Sequence, residues 1–408
     1  MATYESYKDS GVKWLGQIPS HWETGKMREF FSERKQLSQD GSEMLLSVSE
    51  YSGITPSTND AGENVSRSAS LVGYKKCKAS DLIINIMLAW KRGLGISEYD
   101  GIVSPAYCVF GTQNINPRYA NYLLRTDLYT AEFKRNSTGI IESRLRMYPD
   151  NFKNIVCIKP PRNEQEAIVT YLDKITGDID RAIEAQQKMI DALNERKQII
   201  ITRAVTRGLN PDAPLRDSGI DWLGKIPQHW EIIPMRYLCK MKTGDKDTIM
   251  RDDNGKYPFY VRSPHIEHIN TYSYDGEAVL MAGDGVGAGK VFHYVNGKFD
   301  YHQRVYNFHQ FKRITGMFLY FYLKCNFRYK IEEGGAKSTV DSVRLPWLKA
   351  FPICVMPKDE QQSIVEHIHK STGPIDCALS NCERMISLLL ERKQIIINEV
   401  VTGKTKVI

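Results

Sequence analysis

No window of the 408-residue chain approaches the ~18 consecutive apolar residues that a bilayer-spanning helix requires, so a membrane protein is not expected. The N-terminal MATYESYKDSG lacks the basic segment followed by an apolar one that marks a secretory signal. The 8 cysteines are scattered, with Cys377 and Cys382 the one close pair. That spacing fits neither a disulfide framework nor a thiolate metal site, and reduced thiols in a cytoplasm are the expectation. Zinc-type histidine spacing is missing too: the 9 histidines offer only the neighbours His265 and His268, and His367 and His369.

Catalytic motifs fall short in the same way. GDGVGAGK (283–290) resembles a phosphate-binding loop, but Asp284 stands where the first glycine must be, and Val291 follows the lysine where a magnesium-holding hydroxyl is needed. A tight hairpin, or a turn that lets Lys290 approach a phosphate, fits better. NPRY (116–119) differs by one residue from the Asn-Pro-Pro-aromatic motif of adenine methyltransferases and reads as a turn that starts a helix. Glu33-Arg34-Lys35, Glu195-Arg196-Lys197 and Glu391-Arg392-Lys393 match the Glu-x-Lys of metal-dependent nucleases without a companion aspartate, and read as i,i+4 ladder charges. Neither a catalytic centre nor a metal or cofactor held by this chain is expected. A binding or scaffolding role is favoured, with a nucleotide-binding enzyme built on residues 283–290 as the alternative.

What the sequence does contain is duplication. Residues 10–23 read SGVKWLGQIPSHWE and residues 218–231 read SGIDWLGKIPQHWE, with ten of fourteen positions identical. A longer pair, residues 161–206 and 357–402, aligns without gaps and shares ERKQIII at Glu195–Ile201 and Glu391–Ile397. In each copy a proline, Pro161 or Pro357, stops a strand-like run, and Glu164-Gln165 or Glu360-Gln361 suits a first helical turn. A short helix is expected to about Ile175, broken at Thr176-Gly177, with Pro374 opening a new helix in the second copy. A seam then alternates by three and four through Ile179, Ala182, Gln186, Met189, Leu193, Arg196 and Ile200, and through Ile375, Ala378, Cys382, Met385, Leu389, Arg392 and Ile396. About 26 residues of helix span roughly 39 Å, and two equal seams most simply pack on each other as a stiff rod.

The order of parts is Trp phrase, variable block, helical repeat, twice over, with expected boundaries 1–23, 24–158, 159–231, 232–355 and 356–408. The central Trp phrase follows a helical repeat, whereas the last repeat has no such phrase after it. The first phrase is therefore expected to pack beside the C-terminal helix, as if the chain were a circle of two equivalent halves cut once. Trp14, Trp22, Trp222 and Trp230 are then packing residues at the rod ends. The variable blocks alternate short apolar runs with glycine and polar turns, followed by a helical stretch, which predicts a mixed α/β domain with a bent sheet in each. Net charge is +7 overall, of which +3 lies in residues 24–158 and +6 in residues 232–355; two separate basic modules suit a polyanion.

This layout, with two unlike basic modules, each followed by a P-x-x-E-Q helical repeat ending in ERKQ-III and punctuated by W-L-G-x-I-P-x-H-W, closely resembles the specificity subunit of type I restriction-modification systems. The resemblance covers essentially the whole chain. It implies two target-recognition domains reading unlike half-sites in double-stranded DNA, separated by a long antiparallel two-helix coiled coil that fixes the unread spacer, and an internal pseudo-two-fold repeat. It further implies partners: two modification subunits that methylate adenine with S-adenosylmethionine, and restriction subunits that translocate and cleave DNA with ATP and Mg²⁺. A modification-only system is the variant reading. By residue type, base-edge or phosphate contacts are expected from Lys75, Lys76, Trp90, Lys91, Arg92, Asn136, Ser137, Thr138, Arg144 and Arg146 in the first block. In the second they are expected from Arg262, Lys290, His302, Gln303, Arg304, Lys337, Ser338, Thr339 and Arg344.

Overall fold

The run LIIN (Leu82–Asn85) is buried at all four positions, as a β-branched segment covered on both faces must be. It lies inside an antiparallel sheet in the order Phe31–Arg34, Tyr107–Thr112, Leu82–Asn85, Leu94–Ile96. This computed structural model describes residues 3–57, 71–333 and 342–407, and the chain divides into two units, residues 1–186 with 384–408 and residues 187–383. The sheet of the first unit is covered by helices α1 (Pro117–Leu124), α2 (Asp127–Asn136) and α3 (Pro149–Asn154). The predicted single helical stretch from Tyr119 is thus two helices. Thr126 interrupts it and caps α2 by accepting the Tyr129 amide at 3.3 Å. The NPRY turn starts α1 as expected: Asn116 Oδ1 accepts the Arg118 amide at 2.9 Å, and Pro117 takes the first helical position, where an N–H is not needed.

The second unit carries a six-stranded sheet in the order Lys240–Thr243, Val305–His309, Tyr274–Ala282, Phe292–Tyr301, Tyr257–Tyr260, Ile266–Ile269. One pairing, Tyr257–Tyr260 with Phe292–Tyr301, is parallel. Helix α5 (Gly316–Glu333) packs on this sheet, and α6 (Leu345–Ala350) precedes the strand Pro352–Val355.

Two helices far exceed the rest: α4 (Arg162–Arg207) and α7 (Lys358–Val401). The breaks expected at Gly177 and Pro374 do not occur, since both residues lie within continuous helix. Proline removes one amide from the ladder, and the carbonyl that loses its donor belongs to Lys370, an exposed residue. Ile368 and Ile375 on either side are buried and hold the two turns in line. The helices pack as an antiparallel coiled coil. In the first unit Lys393 Nζ of α7 meets Asp180 of α4 at 2.6 and 2.8 Å, and in the second unit Lys197 of α4 meets Asp376 of α7. The two helical Glu-Arg-Lys segments are therefore not simple ladders within one helix, because Lys197 and Lys393 cross to the other helix. Glu33-Arg34-Lys35 is not helical at all but lies at the end of the strand Phe31–Arg34, where Arg34 pairs with Asp81 and Glu33 with Lys153. The seam also shifts by one residue midway. Met189, Arg196, Met385 and Arg392 are exposed, while Ile190, Lys197, Ile386 and Lys393 turn partly inward. A straight helix of 3.6 residues per turn drifts against a 3.5-residue repeat, and the inward stripe moves with it.

Each unit repeats one set of contacts at matched positions. The ribbon Tyr7–Asp9 with Gln17–Pro19 corresponds to Leu215–Asp217 with Lys225–Pro227. The pair Glu23–Lys26 with Val156–Lys159 corresponds to Glu231–Pro234 with Pro352–Val355 in the same register. Trp22 and Trp230 are fully buried. Trp22 Nε1 donates to Glu164 and Trp230 Nε1 to Glu360, each at 2.9 Å. His21 and His229 reach the same carboxylates at 2.5 and 2.9 Å. The adjacent glutamines are used alike: Gln165 Oε1 accepts the Asn116 amide at 2.7 Å, and Gln361 Oε1 accepts the Thr315 amide at 2.8 Å. The expected docking of the first Trp phrase on the last helix is present. Ile396, Val400 and Val401 share a core with Leu15, Ile18 and Trp22, as Ile201, Ala204 and Val205 do with Leu223, Ile226 and Trp230. Gly403 and Gly208 end the two helices with left-handed φ of 75° and 73°, and a Cβ on Gly403 would lie 2.9 Å from Trp22.

Among the described residues no helix is long and apolar enough to cross a membrane, and no three His, Cys, Asp or Glu side chains gather as a metal-binding group.

Candidate nucleic-acid interface

In the second unit the GDGVGAGK segment turns between the strands Tyr274–Ala282 and Phe292–Tyr301. A strand, not a helix, follows Lys290, so the helix N-terminus on which a phosphate-binding loop depends is missing and the hairpin reading holds. The turn is fastened on two sides: the Gly283 amide donates to Arg304 O, and the Val343 amide to Gly283 O, both at 2.8 Å. Asp284, bridged through its backbone to Ser342, sits at the centre. Its carboxylate lies 3.1 Å from Arg262 Nη1 and 3.5 Å from Arg304 Nε. The neighbouring 302–304 turn is clamped as well. The His302 amide donates to Tyr260 O at 2.9 Å and the Gln303 amide to Lys246 O at 2.8 Å, while Gln303 Nε2 reaches Asp247 at 3.0 Å.

His302 is buried, and its Nδ1 accepts the Arg304 amide at 3.0 Å, which places the proton of the neutral ring on Nε2. Burial, then the nearby Arg262, lower its pKa, so the ring is uncharged near neutrality. The structure thus gathers Arg262, Gln303 and Arg304 at one edge with exposed side chains, next to exposed Arg344, whose carbonyl accepts the Trp347 amide in the first turn of α6. Lys290 is exposed on the hairpin. His302 lies beneath these residues and supports them. Lys337, Ser338 and Thr339 fall outside the described residues.

The first unit builds its basic turn differently. Trp90 follows Asn85, whose side chain accepts the Met87 amide, and the indole donates to Met87 O at 3.0 Å. Lys91 and Lys134 stand 4.9 and 5.3 Å from the ring centroid, within range of cation–π attraction. Lys134 also pairs with Glu142 and holds that carboxyl below its ordinary pKa. The 137–147 segment closes over this turn: Thr138 and Arg146 exchange backbone hydrogen bonds at 2.9 Å, and the Met147 amide donates to Ile86 O at 2.8 Å. Arg144 and Thr138 are exposed there. Asn136 and Ser137 are engaged inwardly, donating to Glu132 O at 2.9 Å and Phe133 O at 2.8 Å. Arg92, in a left-handed conformation, pairs with Asp127 and reaches Gln394 of α7. Lys75 and Lys76 are elsewhere, on the ribbon Lys75–Cys77 with Gly101–Val103. Lys75 Nζ is held by Tyr107 O at 2.6 Å, and Lys76 by Glu43 at 2.5 Å.

Sequence reasoning passed over the residues that organise these turns, namely Asp284, Asp247, Lys134 and Glu142. An acidic residue inside a glycine-rich turn was the available signal for Asp284; nothing in the sequence pairs Lys134 with Trp90. A cleft of the second unit was also missed. Arg203, Arg207 and Arg328 line it with Gln198, Thr202, Thr206, Asn326 and the Trp222–Tyr329 stack, without an acidic side chain. At the matched positions of the first unit the chain has Glu399 for Arg203 and Gly403 for Arg207.

Residues 227–376, which contain the Arg262–Asp284–Arg304 turn, match the type I restriction modification DNA specificity domain. Over those residues the second unit is similar to that family's domain. The chain is a relative of type I specificity subunits. It is 28% identical over 181 residues to the type I restriction enzyme EcoDI specificity subunit of Escherichia coli, covering 44% of this chain and 40% of that protein. It is 24% identical over 252 residues to the MjaVIII specificity subunit of Methanocaldococcus jannaschii, covering 58% of this chain and 54% of that one. The matches therefore span about half the length of these relatives or less. A solved structure from work on complex assembly of the type I R-M system shares the fold, with a TM-score of 0.68 over 94% of this chain and 98% of that one at 14% identity.

Proposed function

We propose that this chain is the sequence-reading subunit of a type I restriction-modification complex, recognising two unlike half-sites in double-stranded DNA, one with each unit. The observation that carries the reading is the position of the Arg262–Asp284–Arg304 turn inside the matched DNA specificity domain. Exposed guanidiniums on a rigid turn suit guanine edges, which take paired hydrogen bonds from arginine. In the first unit the Trp90 turn, with Lys91, Arg144 and Arg146 around it, takes the corresponding role. Methylation of adenine, translocation and cleavage then belong to two modification subunits and to restriction subunits, which hold S-adenosylmethionine, ATP and Mg²⁺. The lengths of α4 and α7, 46 and 44 residues, support a ruler that sets the unread spacer.

Sequencing methylated adenines in cells carrying the full complex tests this. Two half-sites at a fixed spacing are expected, and four residues inserted in phase into both long helices should lengthen the spacer while leaving both half-sites intact. Methylation of every adenine-containing duplex without preference would end the reading.

A further inference from the structure

Arg262 and Arg304 share one acceptor, the Asp284 carboxylate, which offers an oxygen to each. The side chains differ in exposure: 47% and 65% for the arginines against 19% for the aspartate. The carboxylate is thus the inner partner, and the two guanidiniums point their remaining N–H groups outward. Among the described residues the Asp284 side chain caps no backbone amide, and its polar partners are these two arginines. Its place is fixed through the backbone, by the bridge to Ser342 and the amide bonds on either side of Gly283.

A carboxylate oxygen pair spanning two guanidiniums is chemically equivalent to the two free oxygens of a DNA phosphate. Any phosphate that approached Arg262 and Arg304 would have to displace this carboxylate or lie beside it, and like charges repel. A neutral base edge meets no such penalty, because each guanidinium has five N–H donors and gives few of them to Asp284. We propose that Asp284 is a specificity-determining positioning residue: it occupies the phosphate-like face of Arg262 and Arg304, suppressing sequence-independent binding to the DNA backbone while leaving both arginines free to read base edges. The inference rests on the DNA-binding reading and deepens it.

The test uses the full chain and a duplex pool of random sequence, followed by fluorescence anisotropy over a series of salt concentrations. Asp284→Asn should bind the random pool roughly tenfold more tightly than wild type. Its plot of log affinity against log salt should be steeper by about one to two, since two cations are released to phosphate. Asp284→Glu, which keeps the charge, should stay close to wild type, and Asp212→Asn, which removes an exposed charge elsewhere in the same unit, should change nothing. Unaltered or weaker binding by Asp284→Asn overturns the proposal, as does an equal gain from Asp212→Asn, which would assign the effect to net charge. If neither the wild-type chain nor Asp284→Asn shows salt-dependent affinity for the pool, the DNA-binding reading itself fails, a result distinct from equal, measurable binding by wild type and Asp284→Asn.

Discussion

The two units agree where they meet the long helices and disagree where they present charge. Trp22 and Trp230, Glu164 and Glu360, Gln165 and Gln361, and Lys393 and Lys197 make the same contacts in both. The presented turns share no chemistry. One is an indole flanked by two ammonium groups and a Lys134–Glu142 pair; the other is two guanidiniums on one buried-side carboxylate. The difference teaches that one set of frame contacts carries two turns of unlike chemistry. It also suits a target with unlike halves, because a lysine–indole surface and an arginine pair offer different donors to a base edge.

The comparison is broken most severely at the tryptophans. Trp22→Ala and Trp230→Ala each empty a large buried site and leave a glutamate short of its indole donor, so each should destabilise its own unit by about 3–5 kcal/mol in urea unfolding. Loss from only one of the two would contradict the equivalence of the frames. A smaller effect separates the reading turns. Arg304→Ala should lose about 1–3 kcal/mol of base discrimination, relaxing one half-site in methylated-adenine sequencing, while Trp90→Ala alters the other; if both changes relaxed the same half-site, the assignment of one half-site per unit would be wrong.

Smaller still are the crossed lysines. Double-mutant cycles of Lys197→Met with Asp376→Asn, and of Lys393→Met with Asp180→Asn, should give matched couplings of about 0.3–1 kcal/mol, since the aspartates are half exposed. The mildest contrast is with pH. The folded pKa of His302 is depressed, so the unfolded chain takes up the proton first; stability from the neutral ring is complete above the ordinary histidine range and declines as pH falls below it. Glu142 is depressed by Lys134, so its contribution persists through that range and fades only in the acid range below the ordinary glutamate value. NMR titration of the two groups checks the order, and Lys134→Met should raise Glu142 toward its ordinary value.

Much of the frame was legible because it is local or repeated. The N-cap at Asn116, the hairpin at Gly283–Lys290, the strands before Pro161 and Pro357 and the docking of the first Trp phrase all follow from residue chemistry or from duplication. The failures were of another kind. Thr176-Gly177 and Pro374 read as breaks because propensity counts one lost hydrogen bond and ignores buried neighbours such as Ile368, Ile375 and Ile179. The seam was placed one residue out at Met189 and Met385 because a fixed heptad cannot follow the drift of a straight helix. Of the chosen site residues, Arg262, Gln303 and Arg304 come together, whereas Lys75, Asn136 and Ser137 are held by internal acceptors, which residue type alone does not reveal.

The sequence by itself determined the two-fold layout, the element types and the resemblance that names the family, because periodicity and repetition are properties of order along a chain. Only the tertiary structure decided which charges are free and which are paired. Asp284 lies 22 residues from Arg262, and Lys134 lies on a different element from Trp90. An ion pair forms by distance in space, and the turns that close those distances are set by backbone bonds between strands that the chain order does not encode.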